Sequence, residues 1–270
     1  MKPLTDLSFL IHEPDEVYHA KAEHFLSSHQ LADFRSDPYL FWKRRSGLAP
    51  KEPDRPAYRI GRAAHCRILQ GQKAFEEGHA IGGPINEKTG EPFGTRTKTY
   101  AEWADAQNKP VITFDEAALI ENLNAAVQAH PLAARLLSNG VAEGVVRCDH
   151  RGVPCQARLD WLNPERGLID LKTCDNLRWF ETETRAYGYV HQLAFYRAVL
   201  AQVIGGQYVP GHLIAVEKGE PFRCGVWVIA DNILNQAQKE NEAAIERLKR
   251  YDEAGAWPTG YEELRTFDWL

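Results

Sequence analysis

The residue types best suited to chemistry lie close together in the middle of the chain. They occur in Arg158-Leu159-Asp160-Trp161 and, one short turn later, in Ile169-Asp170-Leu171-Lys172-Thr173. Each segment reads as a strand, an apolar run bounded by turn residues. Neighbouring antiparallel strands joined by a short turn bring two such carboxylates to one edge of a sheet. Asp170 and Lys172 are two residues apart on one strand, so they point to the same face. Two carboxylates and an ammonium on one face suit phosphodiester hydrolysis. Carboxylate oxygens hold Mg²⁺, which keeps several waters and takes few protein ligands. Such an ion acidifies a water and stabilises charge on the phosphorane. The peptide carbonyl of Leu171, between the two motif residues, is a further candidate ligand. An isolated Asp-x-Lys on a strand is often a solvated polar face and nothing more. Here, however, both carboxylates lie among apolar neighbours (Leu159, Trp161, Leu162; Leu168, Ile169, Leu171), where an unpaired charge is costly.

The elements that must position these groups follow from the hydrophobic pattern. Val141 to Cys148, Val153 to Leu162 and Leu168 to Lys172 are three apolar runs separated by His150-Arg151-Gly152 and Asn163-Pro164-Glu165-Arg166-Gly167. This is the pattern of an antiparallel meander. Glu181 to Ile204 reads as one long helix that carries Gln192 and Tyr196 on one face. Tyr208 to Val216 and Phe222 to Ile229 read as two more strands, and Asp231 as the cap of a polar helix running to about Tyr251. Before residue 140 the chain is mainly helical. Ser27 and Ser28 precede an amphipathic stretch, Pro38 precedes the group Tyr39 to Trp42, and 47–58, with Pro50, Pro53 and Pro56, is a loop. Tyr58 to Gln70 is a helix stopped by Gly71. Residues 80–98 read as an exposed, mobile loop, and Asp115 to Leu137 as a helix broken at His130-Pro131. The order of helices, three strands, helix, two strands and helix gives an α/β fold with one mixed sheet.

The motifs occur in an order that resembles the PD-(D/E)XK nuclease superfamily. The branch it resembles most is that of the phage recombination exonucleases, typified by lambda exonuclease and the RecE-type exonuclease. Asp160 matches the first acid of the superfamily signature, although Leu159 precedes it where the signature has proline. Asp170-Leu171-Lys172 matches D/E-x-K, and Gln192 to Tyr196 matches Q-x-x-x-Y of the following helix. Gly61 to His65 matches a G-x-x-x-[HE] helix that supplies a metal ligand in that branch, and Glu143 matches an acid on the first strand. The resemblance implies a restriction-endonuclease-like core over one nuclease domain: a helical part at 1–139, a catalytic core at 140–255 and an aromatic tail at 256–270. It implies catalytic roles for Asp160, Asp170, Lys172, Gln192 and Glu143, and metal ligation by His65, Asp160, Asp170 and the Leu171 carbonyl. Neutral imidazole coordinates Mn²⁺ and, less well, Mg²⁺. Glu143 is expected to bind metal through water or to hold Lys172, and Gln192 to bond a water, the lysine or a phosphate. Tyr196 supports its helix or a DNA phosphate. The activity implied is Mg²⁺-dependent digestion of one strand of duplex DNA from its 5′ end, processively, by a homo-oligomeric ring. Such exonucleases work with a single-strand annealing protein. An endonucleolytic or single-strand enzyme of the RecB-like kind and an inactive DNA-binding relative are the alternatives.

Composition bounds the rest. Of the 270 residues 44% are hydrophobic and 26% charged, which excludes a disordered or collagen-like chain. No apolar run is long enough to span a bilayer, so no membrane partner is expected. The net charge of −5 excludes a general basic coat, and any DNA contact must come from local clusters. The candidates are Lys43-Arg44-Arg45, Arg59 with Arg62, and Arg96 with Lys98. For any one of them a solvated surface charge is the plain alternative, as core packing is for the aromatic wedges Phe41 and Trp42. Cys66, Cys148, Cys155, Cys174 and Cys224 form no C-x-x-C pair and fit no iron–sulfur set, so neither disulfides nor a cluster is expected, and a reduced, cytoplasmic setting is the simplest reading. The aromatics Trp257, Tyr261, Phe267 and Trp269 of the tail are expected to pack on the chain's own core or on a neighbouring subunit.

Overall fold

The computed structural model describes residues 4, 6–50, 56–266 and 268, with the side chains of 56 and 57 left aside. Pro53, Phe267 and Trp269 of the sequence analysis lie outside these. The described elements are α1 (Asp15–Ala20), α2 (Ser28–Ser36), α3 (Pro38–Arg45), α4 (Pro56–His65), α5 (Gln72–Gly78), β1 (Ala80–Ile81), α6 (Lys98–Asp105), β2 (Val111–Ile112), α7 (Phe114–Ala129) and α8 (Pro131–Leu136). The sheet-bearing half follows, with β3 (Val141–His150), β4 (Val153–Asn163), β5 (Gly167–Cys174), α9 (Phe180–Ala186), α10 (Tyr189–Val203), β6 (Gly211–Glu217), β7 (Cys224–Ile229) and α11 (Asp231–Ala254).

The main sheet has the order β3-β4-β5-β6-β7. β3, β4 and β5 form the expected meander, β6 joins β5 in parallel after the α9–α10 crossover, and β7 returns antiparallel. Alternation along β5 divides the molecule into two layers. Leu168 and Cys174 face a core with Leu193, Val199 and Leu200 of α10, Leu31 and Phe34 of α2, and Ile245 of α11. Ile169 and Leu171 face a second core with Ala63 and Ala64 of α4, Ile120, Leu123 and Val127 of α7, and Leu136 of α8. Each fully buried Leu, Ile or Phe contributes roughly 1.5–3 kcal/mol, so the sheet is clamped from both sides.

Local signals set most boundaries. Ser27 and Thr113 cap α2 and α7, each in a reciprocal capping box with Gln30 or Glu116. Asp37 caps α3, with Pro38 at its first position. Three expectations change. The long helix expected from Glu181 is two helices, because Gly188 takes a left-handed conformation (φ +70°) between them. The helix expected to Gln70 becomes a π-helical turn from Cys66. The cap position of α11 is Ala230, and Asp231 is instead a first-turn acid. The 82–97 segment is exposed over most of its length but carries internal hydrogen bonds, such as Asn86 N–H to the Glu91 carbonyl at 2.8 Å. Trp257 packs edge-on against Phe34 and Tyr251 of its own core, whereas Tyr261 is exposed. Among the described residues no helix is long and apolar enough to cross a membrane.

Candidate active site

The β4–β5 ladder runs from Asn163 and Gly167 only as far as Trp161 and Ile169. Beyond that rung the strands part at Asp160 and Asp170. The Leu171 N–H, left without a ladder partner on the β4 side, donates to Asp160 Oδ2 at 2.9 Å. The β3–β4 ladder also skips one rung, where Glu143 and Asp160 would face each other. Glu143 there adopts φ +56°, a left-handed conformation that costs a non-glycine residue about 1 kcal/mol or more. The site is thus a fork in the sheet, open between its two layers.

His65, the last residue of α4, enters from the second layer. Its Nδ1 lies 3.5 Å from Asp160 Oδ2. Gly61, one turn earlier, faces β5, where a Cβ would meet Thr173 Oγ1 at an ordinary 3.7 Å. From the other layer come Asp170, Lys172 and α10. Lys172 Nζ lies 2.6 Å from Asp170 Oδ2 and donates to Gln192 Oε1 at 3.0 Å, and Gln192 Nε2 donates to Tyr196 Oη at 2.8 Å. The ammonium also sits 4.7 Å from the ring centre of Tyr189.

Burial governs the protonation of this cluster. It pushes the Asp170 carboxyl up to about 6, against the pull of Lys172, and it raises Asp160 against Lys172 and the Leu171 N–H. Burial alone would lower Lys172, but the two carboxylates outweigh it and hold the lysine raised and charged. Burial and the Lys172 charge push His65 down to about 4, so its imidazole is neutral at pH 7 with a lone pair free to coordinate. Glu143 is raised by burial and by Asp160, against Arg158.

Asp170 is 1% exposed; the Lys172 ammonium lies 2.6 Å from its Oδ2, while its Oδ1 accepts no hydrogen bond. A buried carboxylate oxygen without a donor is rare, and Oδ1 is open to a cation. Among the described residues no group of three or more His, Cys, Asp or Glu side chains is spaced to hold a metal ion by itself. Two carboxylates, a peptide carbonyl and one imidazole nevertheless fit an ion that fills its remaining positions with water.

The other sequence candidates are dispersed. Tyr196 is buried (5% exposed). It holds Gln192 and bonds Ser28, contacts of the helix-supporting kind. Arg45 pairs with Asp252 and stacks on Phe41 and Trp257. Arg44 lies 3.5 Å from Asp33, so this pair joins helices to one another. Phe41 is core. Glu143 accepts from Arg158 Nε at 2.5 Å, whereas Lys172 pairs with Asp170. Arg59 pairs with Glu116 at 2.6 Å. Arg62 is exposed on α4 one turn ahead of His65, Arg96 is exposed, and Lys98 lies 3.5 Å from Glu102. The sequence reading missed Tyr189, signalled by its place three residues before Gln192 on α10. It gave no role to Arg158, two residues ahead of Asp160 on β4, which ties Glu143 to Asp15. It also missed His29 of α2. Crowding in the cleft and the Lys172 charge lower the His29 pKa, although the residue keeps an exposed edge.

A forked mixed sheet with Asp160, Asp170 and Lys172 at the fork and His65 and Gln192 on flanking helices defines a member of the PD-(D/E)XK nuclease superfamily. Enzymes of this class generally use divalent metal ions. More narrowly, residues 27–268 match the PDDEXK-like domain of unknown function (DUF3799), and the chain belongs to that family. It is similar in fold to a Eubacterium rectale protein of known structure named "putative exonuclease". The two are 14% identical with a TM-score of 0.68, over 96% of this chain and 97% of the other. LHK-Exo in complex with dAMP also matches, at 14% identity over 71% of this chain and 89% of the other, but its TM-score of 0.30 carries no weight. No curated protein matches the chain.

Proposed function

We propose that this chain is a Mg²⁺-dependent exodeoxyribonuclease that degrades one strand of linear duplex DNA. On this reading it works processively from the 5′ end, as a homo-oligomeric ring, and leaves single-stranded DNA for an annealing protein in phage-type recombination. The observation that carries the nuclease reading is the buried Asp170 carboxylate, paired through Oδ2 with Lys172, with Oδ1 left open, beside Asp160. The polarity, processivity, ring and partner rest on the motif resemblance to the phage exonucleases.

Asp160, Asp170, the Leu171 carbonyl and His65 would hold the ion. When bound, a divalent cation acidifies a water and stabilises charge developing on the scissile phosphate. The chain's own contribution is order. The Leu171 N–H fixes the Asp160 carboxylate, and the Tyr196 hydroxyl fixes the Gln192 amide, which in turn holds Lys172. Lys172, charged and steadied over Tyr189, orients the attacking water or balances charge at phosphorus. The mostly oxygen donor set suits Mg²⁺, and the imidazole lets Mn²⁺ substitute.

Digestion of linear, nicked and closed circular plasmid in Mg²⁺, Mn²⁺ and EDTA tests this. Loss of the DNA with ends only, metal-dependent and with a 5′ label released first, is the expected result. Opening of closed circles would place the enzyme with the RecB-like alternative. No loss of any substrate would make the chain an inactive DNA-binding relative.

A further inference from the structure

Beside the active site lies an open groove of about 630 Å³ between α2, the α9–α10 junction and α11. Both of its long walls begin at the active site. On α10, Tyr189 and Gln192 contact Lys172, while Gly188 and His191 line the groove. On α2, His29 lies within electrostatic reach of Lys172 and Asp170, and Ala32 and Ser36, one and two turns further on the same face, line the groove.

The groove has the chemistry of an anion track. Arg35, Arg185 and Arg247 line it together with two acids, Asp33 and Glu240. Both acids are engaged: Asp33 lies 3.5 Å from Arg44, and Glu240 accepts from His191 at 2.7 Å. Arg35 donates to the neutral Asn241 Oδ1 at 3.2 Å. Arg185 and Arg247 have no carboxylate within ion-pair distance among the described residues. Two of the arginines, Arg35 and Arg247, also act on each other. Burial and the charge of Arg247 lower Arg35, with only Glu240 opposing them. The three arginines against two acids, both of them engaged by other side chains, leave the groove with a positive balance that attracts a polyanion.

Aromatic rings connect this groove to the catalytic lysine. The Tyr189 ring lies under Lys172, and the Tyr187 ring follows at 5.8 Å from Tyr189. Tyr187 is 66% exposed at the groove, so its ring face is open to a ligand lying there. Aromatic faces beside a positive backbone track are the means by which proteins hold unpaired bases.

We infer that this groove is a subsite for single-stranded DNA next to the scissile phosphate, with Tyr187 stacking a base and Arg35, Arg185 and Arg247 contacting backbone phosphates. The inference rests on the nuclease reading and adds to it that the enzyme grips an unpaired strand. It is tested by fluorescence anisotropy of the full chain in EDTA, where cleavage is off, with a labelled single strand of about 12 nucleotides. Tyr187→Ala is expected to weaken binding about tenfold, as for loss of one stacked base, and Tyr187→Phe to restore it. Arg185→Ala combined with Arg247→Ala is expected to lower the slope of log K against log salt by about 1.4, or about 0.7 for each phosphate no longer neutralised. Matching melting temperatures show that the variants are folded, and single substitutions replace the double one if it melts early. If the wild type cleaves DNA while the variants bind with unchanged affinity and slope, the groove assignment is overturned and the nuclease reading stands. If the wild type neither binds nor cleaves DNA, the nuclease reading falls and takes the groove with it.

Discussion

Replacing Asp170 by asparagine should stabilise the metal-free protein while removing its activity. The carboxyl is 1% exposed and held at about 6 instead of its ordinary 3.8. That gap already includes the attraction of Lys172. At 1.36 kcal/mol per pH unit, ionising Asp170 in the fold costs about 3 kcal/mol relative to the unfolded chain. Asparagine has nearly the same shape and no charge, so the variant avoids that cost. In a protein of this size the gain corresponds to a melting temperature higher by about 6–10 °C at pH 7.5 in EDTA. The sign follows from proton counting. Between pH 3.8 and about 6 the native state binds the extra proton, so wild-type stability falls as pH rises through that window. The difference between variant and wild type should therefore be near zero below pH 3.8, grow toward pH 6 and stay level above it. Added Mn²⁺ or Mg²⁺ binds the ionised carboxylates and should raise the wild-type melting temperature while leaving Asp170→Asn almost unmoved. Scanning calorimetry of both proteins across this pH range, with and without metal, reads all of this. An Asp170→Asn variant that melts at or below the wild-type temperature in EDTA at pH 7.5 would refute the reasoning.

Lys172→Ala should abolish cleavage but keep DNA affinity within about threefold, because the ammonium faces Asp170 and Gln192 and not the groove. Filter binding and cleavage assays separate the two, and a variant that cleaves normally at high protein concentration would make the lysine a backbone contact. Glu13→Gln should lower stability at pH 7 by about 1–2 kcal/mol, since Glu13 bridges Arg147 and Lys21. Hydrogen bonding from Arg147 holds this carboxyl at about 2 instead of 4.5. Its contribution is therefore present above pH 4.5 and lost as pH falls toward 2, as acid titration of the two proteins would show. Light scattering at micromolar protein should give a multiple of 30.6 kDa, with a trimer favoured by resemblance, and a monomer mass would defeat the proposed ring.

Most of the architecture was legible because it rests on local signals. The meander was visible as three apolar runs with Gly and Pro turns between them, and β3, β4 and β5 form it. The fork was readable only in part. Alternation placed Asp170 and Lys172 on one face, but the parting of β4 from β5 depends on ladder pairs absent from any one strand's pattern. The break at Gly188 went unread because α9 and α10 share one apolar periodicity across it, and a single glycine inside a helical pattern is often tolerated. Arg35, Arg185 and Arg247 lie far apart in sequence and reach one groove only through the packing of α2 against α10 and α11 and of α9 against α10. Tyr196 shows the opposite case. Its spacing from Gln192 was correctly read, but spacing does not tell a buried hydroxyl from one that faces a ligand.

The π-helical turn after His65 has a consequence for how this protein can vary. In a regular α-helix Leu69 would lie over His65, four residues earlier, and share its face. The wider turn through Cys66–Gln70 moves Leu69 off that face. Leu69 instead joins the core with Ala64, while His65 stays turned toward Asp160. One helix thus has two independent phases, one set by a ligand and one by a hydrophobic layer. The wider turn holds one residue more than the α-helical turn it replaces, so shortening the chain by a single residue within 66–70 would restore the regular hydrogen-bond spacing with little rotation downstream. Deleting a residue from the regular part of α4 would instead rotate His65 by about 100° out of the fork. Alignments of the family should therefore show one-residue gaps confined to 66–70 and none between Gly61 and His65.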